Sequence, residues 1–119
     1  PGCTYCQPQI ASVGLTEKAA KEKKLDCKVG KFPFTASGKA VAGGDTEGFV
    51  KVIADAKTDE ILGVHIVAAN ASDLVAEAVV AMEFKAAAED IGRICHPHPS
   101  MSEVMREAAL AVDKRQLNM

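Results

Sequence analysis

Two runs of β-branched residues near the middle of the chain constrain its fold more than any other feature. Phe49 to Ala56 and Ile61 to Val67 are rich in Val and Ile, and four polar residues separate them. Such runs are typical of strands, and the short polar connection predicts an antiparallel hairpin. Because neighbouring side chains in a strand point to opposite faces, Val64 is expected on one face and Ile61 and His65 on the other.

Extended segments precede this hairpin, and helices follow it. Strands are also predicted at Cys3 to Cys6, Ile10 to Gly14 and Cys27 to Phe34. Helices are predicted from Glu17 to Lys24, Leu74 to Phe84, Ala87 to Ile94 and Met101 to Arg115. The Gly-rich stretch from Ala36 to Asp45 is predicted to be a tight connector rather than a phosphate-binding loop. This order predicts an α+β fold, in which helices cover one side of an antiparallel β-sheet.

The composition limits the chain to one domain and excludes several functions. With 119 residues, 48% of them hydrophobic, the chain can bury one core, so residues 1–119 are expected to form a single domain. Its 14 basic and 16 acidic residues are mixed along the sequence, which argues against nucleic acid as a partner. No apolar run approaches the roughly 20 residues that cross a bilayer, so no membrane partner is expected. A start at Pro1 predicts a fragment of a longer protein.

The predicted helix from Leu74 to Phe84 has apolar residues around most of its circumference. Its acidic residues, Asp73 and Glu77, are one turn apart and form only a narrow polar stripe. A helix of this kind has to be buried on more than one side. Since a domain of this size has one core, the other side of the helix is expected to contact a second chain.

The chain has four cysteines, Cys3, Cys6, Cys27 and Cys95. They are too few and too widely spaced for a secreted disulfide framework, so a reducing compartment is expected. Thioredoxin-like chemistry needs such a pair at the start of a helix, whereas the residues around Cys3 and Cys6 favour extended chain. Zinc bound with the help of Cys95, His96 or His98 is an alternative. Small, half-buried thiols are the favoured interpretation, and no metal site is predicted.

The segment from His96 to Glu103 contains the groups best suited to catalysis. His96 and His98 alternate with prolines, and histidine has an ordinary pKa near neutrality, so one interpretation is acid/base chemistry. The other is a capping box, in which the Ser100 side chain binds an N–H of the first helical turn and Glu103 binds the N–H of Ser100. In that case Glu103 only starts a helix and His98 lies in a loop. The residues alone favour the capping box and leave both interpretations open.

Six blocks of the sequence together resemble a known family. They are Ile10 to Glu17, Phe32 to Phe34, Gly44 to Lys51, Ile61 to His65, Ala81 to Phe84 and His96 to Glu103. In content and order they resemble the C-terminal dimerisation domain of the dihydrolipoyl dehydrogenases, a family of pyridine nucleotide disulfide oxidoreductases. The resemblance covers nearly the whole chain.

This resemblance implies a homodimeric flavoenzyme that uses FAD and NAD to oxidise dihydrolipoyl groups of a lipoyl-bearing protein, near the acyltransferase core of a 2-oxoacid dehydrogenase complex. His98 would be the general base and Glu103 the carboxylate that orients it. The His98–Pro99 peptide would be cis, with His98 and Pro99 near the partner subunit's flavin. The fragment alone would bind neither cofactor and be inactive. A cytoplasmic location, or the mitochondrial matrix in a eukaryote, is implied.

Two alternatives to this assignment stay open. The chain could be the equivalent domain of a glutathione reductase-like or another disulfide reductase. It could also be a purely structural module, which builds the dimer and docks the enzyme on a complex. Neither the resemblance nor the residues give a role to His96, Cys3 or Cys6.

Overall fold

A five-stranded antiparallel sheet organises the computed structural model, which describes residues 1–118. The strands are β1 (Gly2–Thr4), β2 (Gln9–Gly14), β3 (Cys27–Pro33), β4 (Phe49–Asp55) and β5 (Ile61–Ala68). Their order across the sheet is β1-β2-β5-β4-β3, and every neighbouring pair is antiparallel. The hairpin predicted from the Val- and Ile-rich runs is therefore the centre of the sheet, β4 and β5.

Five α-helices follow or interrupt the strands within residues 1–118. They are α1 (Glu17–Glu22), α2 (Gly38–Gly43), α3 (Ala71–Glu83), α4 (Ala88–Arg93) and α5 (Glu103–Ala111). Thr16 caps α1, because its hydroxyl accepts the N–H of Ala19 at 3.0 Å. The α+β class is confirmed. No helix in this part of the chain is both long and apolar enough to cross a membrane.

The hydrophobic core lies between the sheet and its helices. Alternate residues of the central strands, including Val50, Val52, Val64 and Ile66, are buried in it. Helix α3 packs on β2 and β5, and α5 packs on β3 and β4. On the other face Lys51 and His65 are opposite each other and contact Glu17 and Leu15, where α1 begins.

A β-bulge changes which face Ile61 occupies. Ile53 pairs with Gly63 and Ala54 pairs with Ile61, so Leu62 is the extra residue. Ile61 is buried in the core with Val64, and the prediction that it shares a face with His65 is wrong. Strict alternation fails here because the bulge advances β5 by one residue relative to its partner strand.

The predicted connector from Ala36 to Asp45 contains the short helix α2. The Ser37 hydroxyl accepts the N–H of Ala40 at 3.3 Å, and Ala40 is buried in the core. Gly44 ends the helix in the left-handed region, with φ of 76°. The helix was not predicted because the stretch is rich in Gly, and it is stabilised by a serine cap and one buried alanine.

Candidate functional site

His98 and Glu103 form a hydrogen-bonded pair between α4 and α5. The Nδ1 atom of His98 lies 3.0 Å from each carboxylate oxygen of Glu103. The His98 side chain is 79% exposed and that of Glu103 is 17% exposed. The carboxylate is therefore mostly buried at the protein surface. The imidazole projects into solvent, with Nε2 directed away from the carboxylate. The sequence placed these residues five apart, and the structure brings them together.

Glu103 is held by groups on both sides of it. The N–H of Ser100 donates to Oε1 at 2.9 Å, and the Nη2 atom of Arg106 lies 3.7 Å from Oε2. Partial burial would raise the pKa of the Glu103 carboxyl. Hydrogen bonds from His98 and the Ser100 N–H, with the nearby positive charges, outweigh that effect and leave the pKa below its usual value.

Only one half of the predicted capping box forms. Glu103 binds the N–H of Ser100, as the motif requires, but the Ser100 hydroxyl donates to the Pro97 carbonyl and contacts the hydroxyl of Ser102. Helix α5 begins after Ser102, which makes no side-chain capping bond. The two interpretations of Glu103 are compatible, because one carboxylate binds both the His98 ring and the Ser100 backbone.

The surroundings of His98 offer room for a reacting group. A cavity of about 210 Å³ opens beside the pair, and Phe32, Ser37 and Asn118 contribute to its walls. The His98–Pro99 peptide is cis, as the family resemblance implies, and Pro99 is exposed.

His96 is buried, in contrast to His98. Its side chain is 5% exposed, with Nε2 at 2.6 Å from the Oε2 atom of Glu77 on α3. Its Nδ1 atom lies 3.3 Å from the carbonyl oxygen of Ile94. The sequence gives His96 no role and indicates for Glu77 only a place in a narrow polar stripe.

Glu107 is a buried carboxylate on α5. It is 2% exposed and accepts the N–H of Leu117 at 2.8 Å and the side-chain amide of Asn118 at 3.1 Å. The Arg106 Nη2 atom is 3.6 Å from it. The end of the described chain is thereby attached to α5 beside the His98 cavity.

The cysteines lie apart from this site. Cys3, Cys6 and Cys95 are exposed and Cys27 is half-buried, so the prediction of half-buried thiols holds for one of the four. Among residues 1–118 no three His, Cys, Asp or Glu side chains are grouped closely enough to hold a metal ion.

A second cavity surrounds the Gly-rich end of α2. It has a volume of about 220 Å³, and its walls include Gly44, Asp45 and Glu47. Two carboxylates would repel a phosphate group, so this cavity does not suit a nucleotide.

An apolar groove lies between α3 and α4. Its volume is about 490 Å³, and its walls are formed by Ala76, Glu77, Val80, Ala81, Ala86, Asp90, Ile91 and Ile94. One side of α3 is buried in the core through Val75 and Ala78, while Val80 is 58% exposed and the neighbouring Phe84 81%. Helix α3 therefore has apolar residues on its buried side and on its exposed side, as its sequence predicts.

Comparison with known proteins defines the family. Residues 1–109 match the family model described as pyridine nucleotide-disulphide oxidoreductase, dimerisation domain. The chain is 72% identical over its whole length to a dihydrolipoyl dehydrogenase of Cupriavidus necator, of which it covers 25%. It is 49% identical over its whole length to a mitochondrial dihydrolipoyl dehydrogenase of Pisum sativum, of which it covers 24%.

Solved structures agree with this match. The HOCl-induced flavoprotein disulfide reductase RclA from Escherichia coli superposes with a TM-score of 0.86 at 27% identity, over 91% of this chain and 25% of that one. LpdA from Mycobacterium tuberculosis gives a TM-score of 0.85 at 24% identity, over 91% of this chain and 24% of that one, which shows the shared fold. The chain belongs to the dimerisation-domain family of the pyridine nucleotide-disulphide oxidoreductases. It spans about a quarter of the length of the relatives it matches.

Proposed function

We propose that this chain is the dimerisation domain of a dihydrolipoyl dehydrogenase and that it supplies His98 as the general base to the disulfide site of the partner subunit. The observation that carries the proposal is the geometry of His98. Its Nδ1 atom is bound to a carboxylate, while the rest of its ring is exposed. Such an arrangement suits a histidine that acts on a group from outside its own domain.

The chemistry of a dithiol explains the need for this base. A free thiol has a pKa of about 8.5, so little of it is thiolate at neutral pH, yet the thiolate is the form that attacks a disulfide. When the Nδ1–H of His98 donates to Glu103, Nε2 carries a lone pair that can take the S–H proton. The carboxylate of Glu103 then stabilises the imidazolium, as the aspartate does in a catalytic triad.

The electrons and protons of the overall reaction balance. The deprotonated sulfur of the substrate forms a bond to one sulfur of the enzyme's disulfide, and the other enzyme sulfur leaves as a thiolate. The second substrate thiol then attacks the substrate sulfur of this mixed disulfide, which breaks its bond to the enzyme sulfur and closes the substrate disulfide. The two thiol protons pass to the enzyme sulfurs, so the enzyme is left as a dithiol. When bound, FAD supplies the passage of two electrons from this dithiol to NAD⁺. One dithiol and one NAD⁺ become one disulfide, one NADH and one proton.

The residues of this chain fit a role in supplying the base, with the cofactors bound by the rest of the enzyme. The acidic cavity at Gly44 is unsuited to the phosphates of FAD or NAD, whose binding we assign to the rest of the enzyme. The exposed His98, which lines its cavity, and the exposed Pro99 that follows it are the groups we expect to face the partner subunit's flavin.

A second copy of the chain is the partner we propose for the apolar groove. Val80, Phe84 and Ile94 expose large apolar side chains along one side of the domain, an arrangement typical of a subunit interface. The name of the matched family supports the same conclusion. A homodimer also accounts for a base exposed on one chain and a disulfide supplied by another.

The relatives supply the remaining proposals. Because the similar enzymes are named dihydrolipoyl dehydrogenases, we propose a lipoyl-bearing protein as the substrate and the acyltransferase core of a 2-oxoacid dehydrogenase complex as the docking partner. We propose the cytoplasm as the location or, in a eukaryote, the mitochondrial matrix, which the mitochondrial enzymes among the relatives support.

The test is the variant His98→Ala in the full-length enzyme. Loss of a general base should lower the kcat for dihydrolipoamide by about 10² to 10⁴ while flavin content and the dimer are unchanged. The matched control is His65→Gln, which changes a histidine on the sheet face away from the core and should keep the kcat within about twofold of wild type.

Two other outcomes would contradict the proposal. Turnover of His98→Ala within a few-fold of wild type would remove His98 as the base and favour a purely structural dimer and docking module. Efficient reduction of glutathione disulfide by the wild-type enzyme, without turnover of dihydrolipoamide, would favour a glutathione reductase-like enzyme.

A further inference from the structure

The His-Pro turn, residues 96–100, is held in place by side chains. The structure describes no backbone-to-backbone hydrogen bond for these five residues, and Pro97 and Pro99 have no N–H to donate. At the far end of the turn, Ser100 and His98 are bound to Glu103. At the near end, the contact that reaches another helix is the side chain of His96.

The contact of His96 with Glu77 is short, and it is buried on the histidine side. Nε2 of the ring lies 2.6 Å from Glu77, and Nδ1 faces the Ile94 carbonyl. Both neighbours are oxygen acceptors. A hydrogen bond to a carboxylate is stronger than one between neutral groups, and this one is shielded from water on the histidine side, since the His96 side chain is 5% exposed.

We propose that Glu77 and His96 form a positioning pair that sets the direction in which His98 leaves the turn. This inference rests on the function proposed for His98. Pro97 is the single residue between the two histidines, and its ring fixes its φ. A rotation of the His96 backbone is therefore passed to His98, whose Nδ1 has to stay about 3.0 Å from Glu103.

The same pair connects the turn with the apolar groove. Glu77 lies on α3 and contributes to the groove, next to Val80 and Ile94. A partner subunit that covers the groove removes water from around Glu77 and strengthens its bond to His96. Packing of the dimer and orientation of the base are thereby linked through one carboxylate.

The experiment compares two reactions of the full-length flavoenzyme. Oxidation of dihydrolipoamide by NAD⁺ needs a base for the thiol, whereas reduction of a soluble quinone by NADH passes through the flavin without one. For Glu77→Ala we expect a fall in the dihydrolipoamide kcat of about tenfold to a hundredfold, since a displaced catalytic group costs about that much. Quinone reduction should stay within about twofold of wild type.

Two variants separate positioning from a general loss of structure. Glu77→Gln keeps an oxygen acceptor for the ring of His96 and should recover most of the lost rate. Glu17→Gln removes the charge from a carboxylate 2.7 Å from Lys51 on the other face of the sheet and should leave both reactions within about twofold of wild type. If Glu77→Ala does not assemble as a flavin-loaded dimer, His96→Gln removes the same imidazole–carboxylate contact, and the same two rates decide.

The results also separate this inference from the proposed function. Equal losses in both reactions, or a dihydrolipoamide rate of Glu77→Ala close to wild type, would overturn the positioning pair. If His98→Ala abolishes dihydrolipoamide turnover while Glu77→Ala does not lower it, only the inference is wrong. If His98→Ala keeps its turnover, the function proposed for His98 is wrong.

Discussion

Glu103 performs two tasks with one carboxylate. It accepts the N–H of Ser100, three residues before it in the turn that leads into α5, and it binds the ring of His98. A carboxylate has about four acceptor positions, so the two tasks do not exclude each other. A substitution of Glu103 is therefore expected to affect both the rate of the reaction and the stability of the fold.

The stability contribution of Glu103 should depend on pH. Because its folded-state pKa lies below the ordinary value of 4.5, the ionised carboxylate stabilises the folded chain above that pH. The contribution is lost as the pH falls through the folded-state pKa. For Glu103→Gln we expect a loss in the free energy of unfolding, measured with urea, that is larger at about pH 7 than at about pH 2.5.

The control for this measurement is Glu22→Gln. Glu22 is exposed at the end of α1, and the structure describes no side-chain hydrogen bond or ion pair for it. Its substitution should change the free energy of unfolding by less than about 0.5 kcal/mol at either pH. A loss for Glu103→Gln that does not depend on pH would contradict the role of the ionised form.

The sequence predicts short-range residue pairs better than distant ones. His98 and Glu103 are close in the chain, and the family resemblance implied their contact. Glu77 and His96 are 19 residues apart, and Glu107 and Asn118 are 11 apart. A single sequence carries no signal that tells which distant polar residues meet, so the contacts of Glu77 and Glu107 were not predicted.

Among the elements, helix α5 and strand β3 make a close contact through Gly30. A Cβ atom on this glycine would lie 2.2 Å from the Ala108 carbonyl oxygen and 2.4 Å from the Val112 nitrogen. Both are backbone atoms that cannot move without the helix. The position of α5, and with it that of Glu103, depends on the absence of a side chain at this one residue.

Gly30→Ala is therefore expected to destabilise the fold. Forcing a methyl group into a packed contact costs about 1–3 kcal/mol in the free energy of unfolding. Gly38→Ala is the matched control, because nothing lies within 4 Å of a Cβ at Gly38 in the first turn of α2. Urea unfolding should show a loss for the first variant only, and equal midpoints for the two would contradict the close contact.

Elements defined by local patterns were predicted well, and those that depend on tertiary contacts were not. The β4–β5 hairpin follows from Val and Ile propensity and a polar turn. The bulge at Leu62 depends on pairing with β4, and α2 depends on the burial of Ala40 in a core that the Gly-rich stretch does not reveal. Neither the alternation of apolar residues nor the amino-acid composition predicts the bulge or the burial of Ala40.

For the whole molecule, self-association is expected to use the helical side. The apolar groove and the exposed Val80 and Phe84 lie there, and Glu77 connects the groove with the His-Pro turn. An enzyme whose base acts on another subunit is inactive as a monomer. Dimer formation is in that sense part of the catalytic mechanism proposed above.

Val80→Asp should disrupt the dimer. Placing a carboxylate in an apolar contact costs more than about 1.4 kcal/mol, so sedimentation equilibrium of the chain should show a Kd for self-association raised more than about tenfold. Val41→Asp is the control, since Val41 on α2 is 60% exposed, close to the 58% of Val80, and lies outside the groove. An equal effect of both variants, or a wild-type chain that stays monomeric, would contradict this interface.

The two edges of the sheet also limit how the protein can aggregate. Strand β1 has three residues, all exposed, and the opposite edge strand β3 carries Lys28 and Lys31 and ends at Pro33. Short edges, lysines and a proline without an N–H all discourage another molecule from adding its own strand. Growth into stacked, amyloid-like sheets is therefore disfavoured. A second copy can still bind through side-chain contacts, and such an assembly is complete with two subunits.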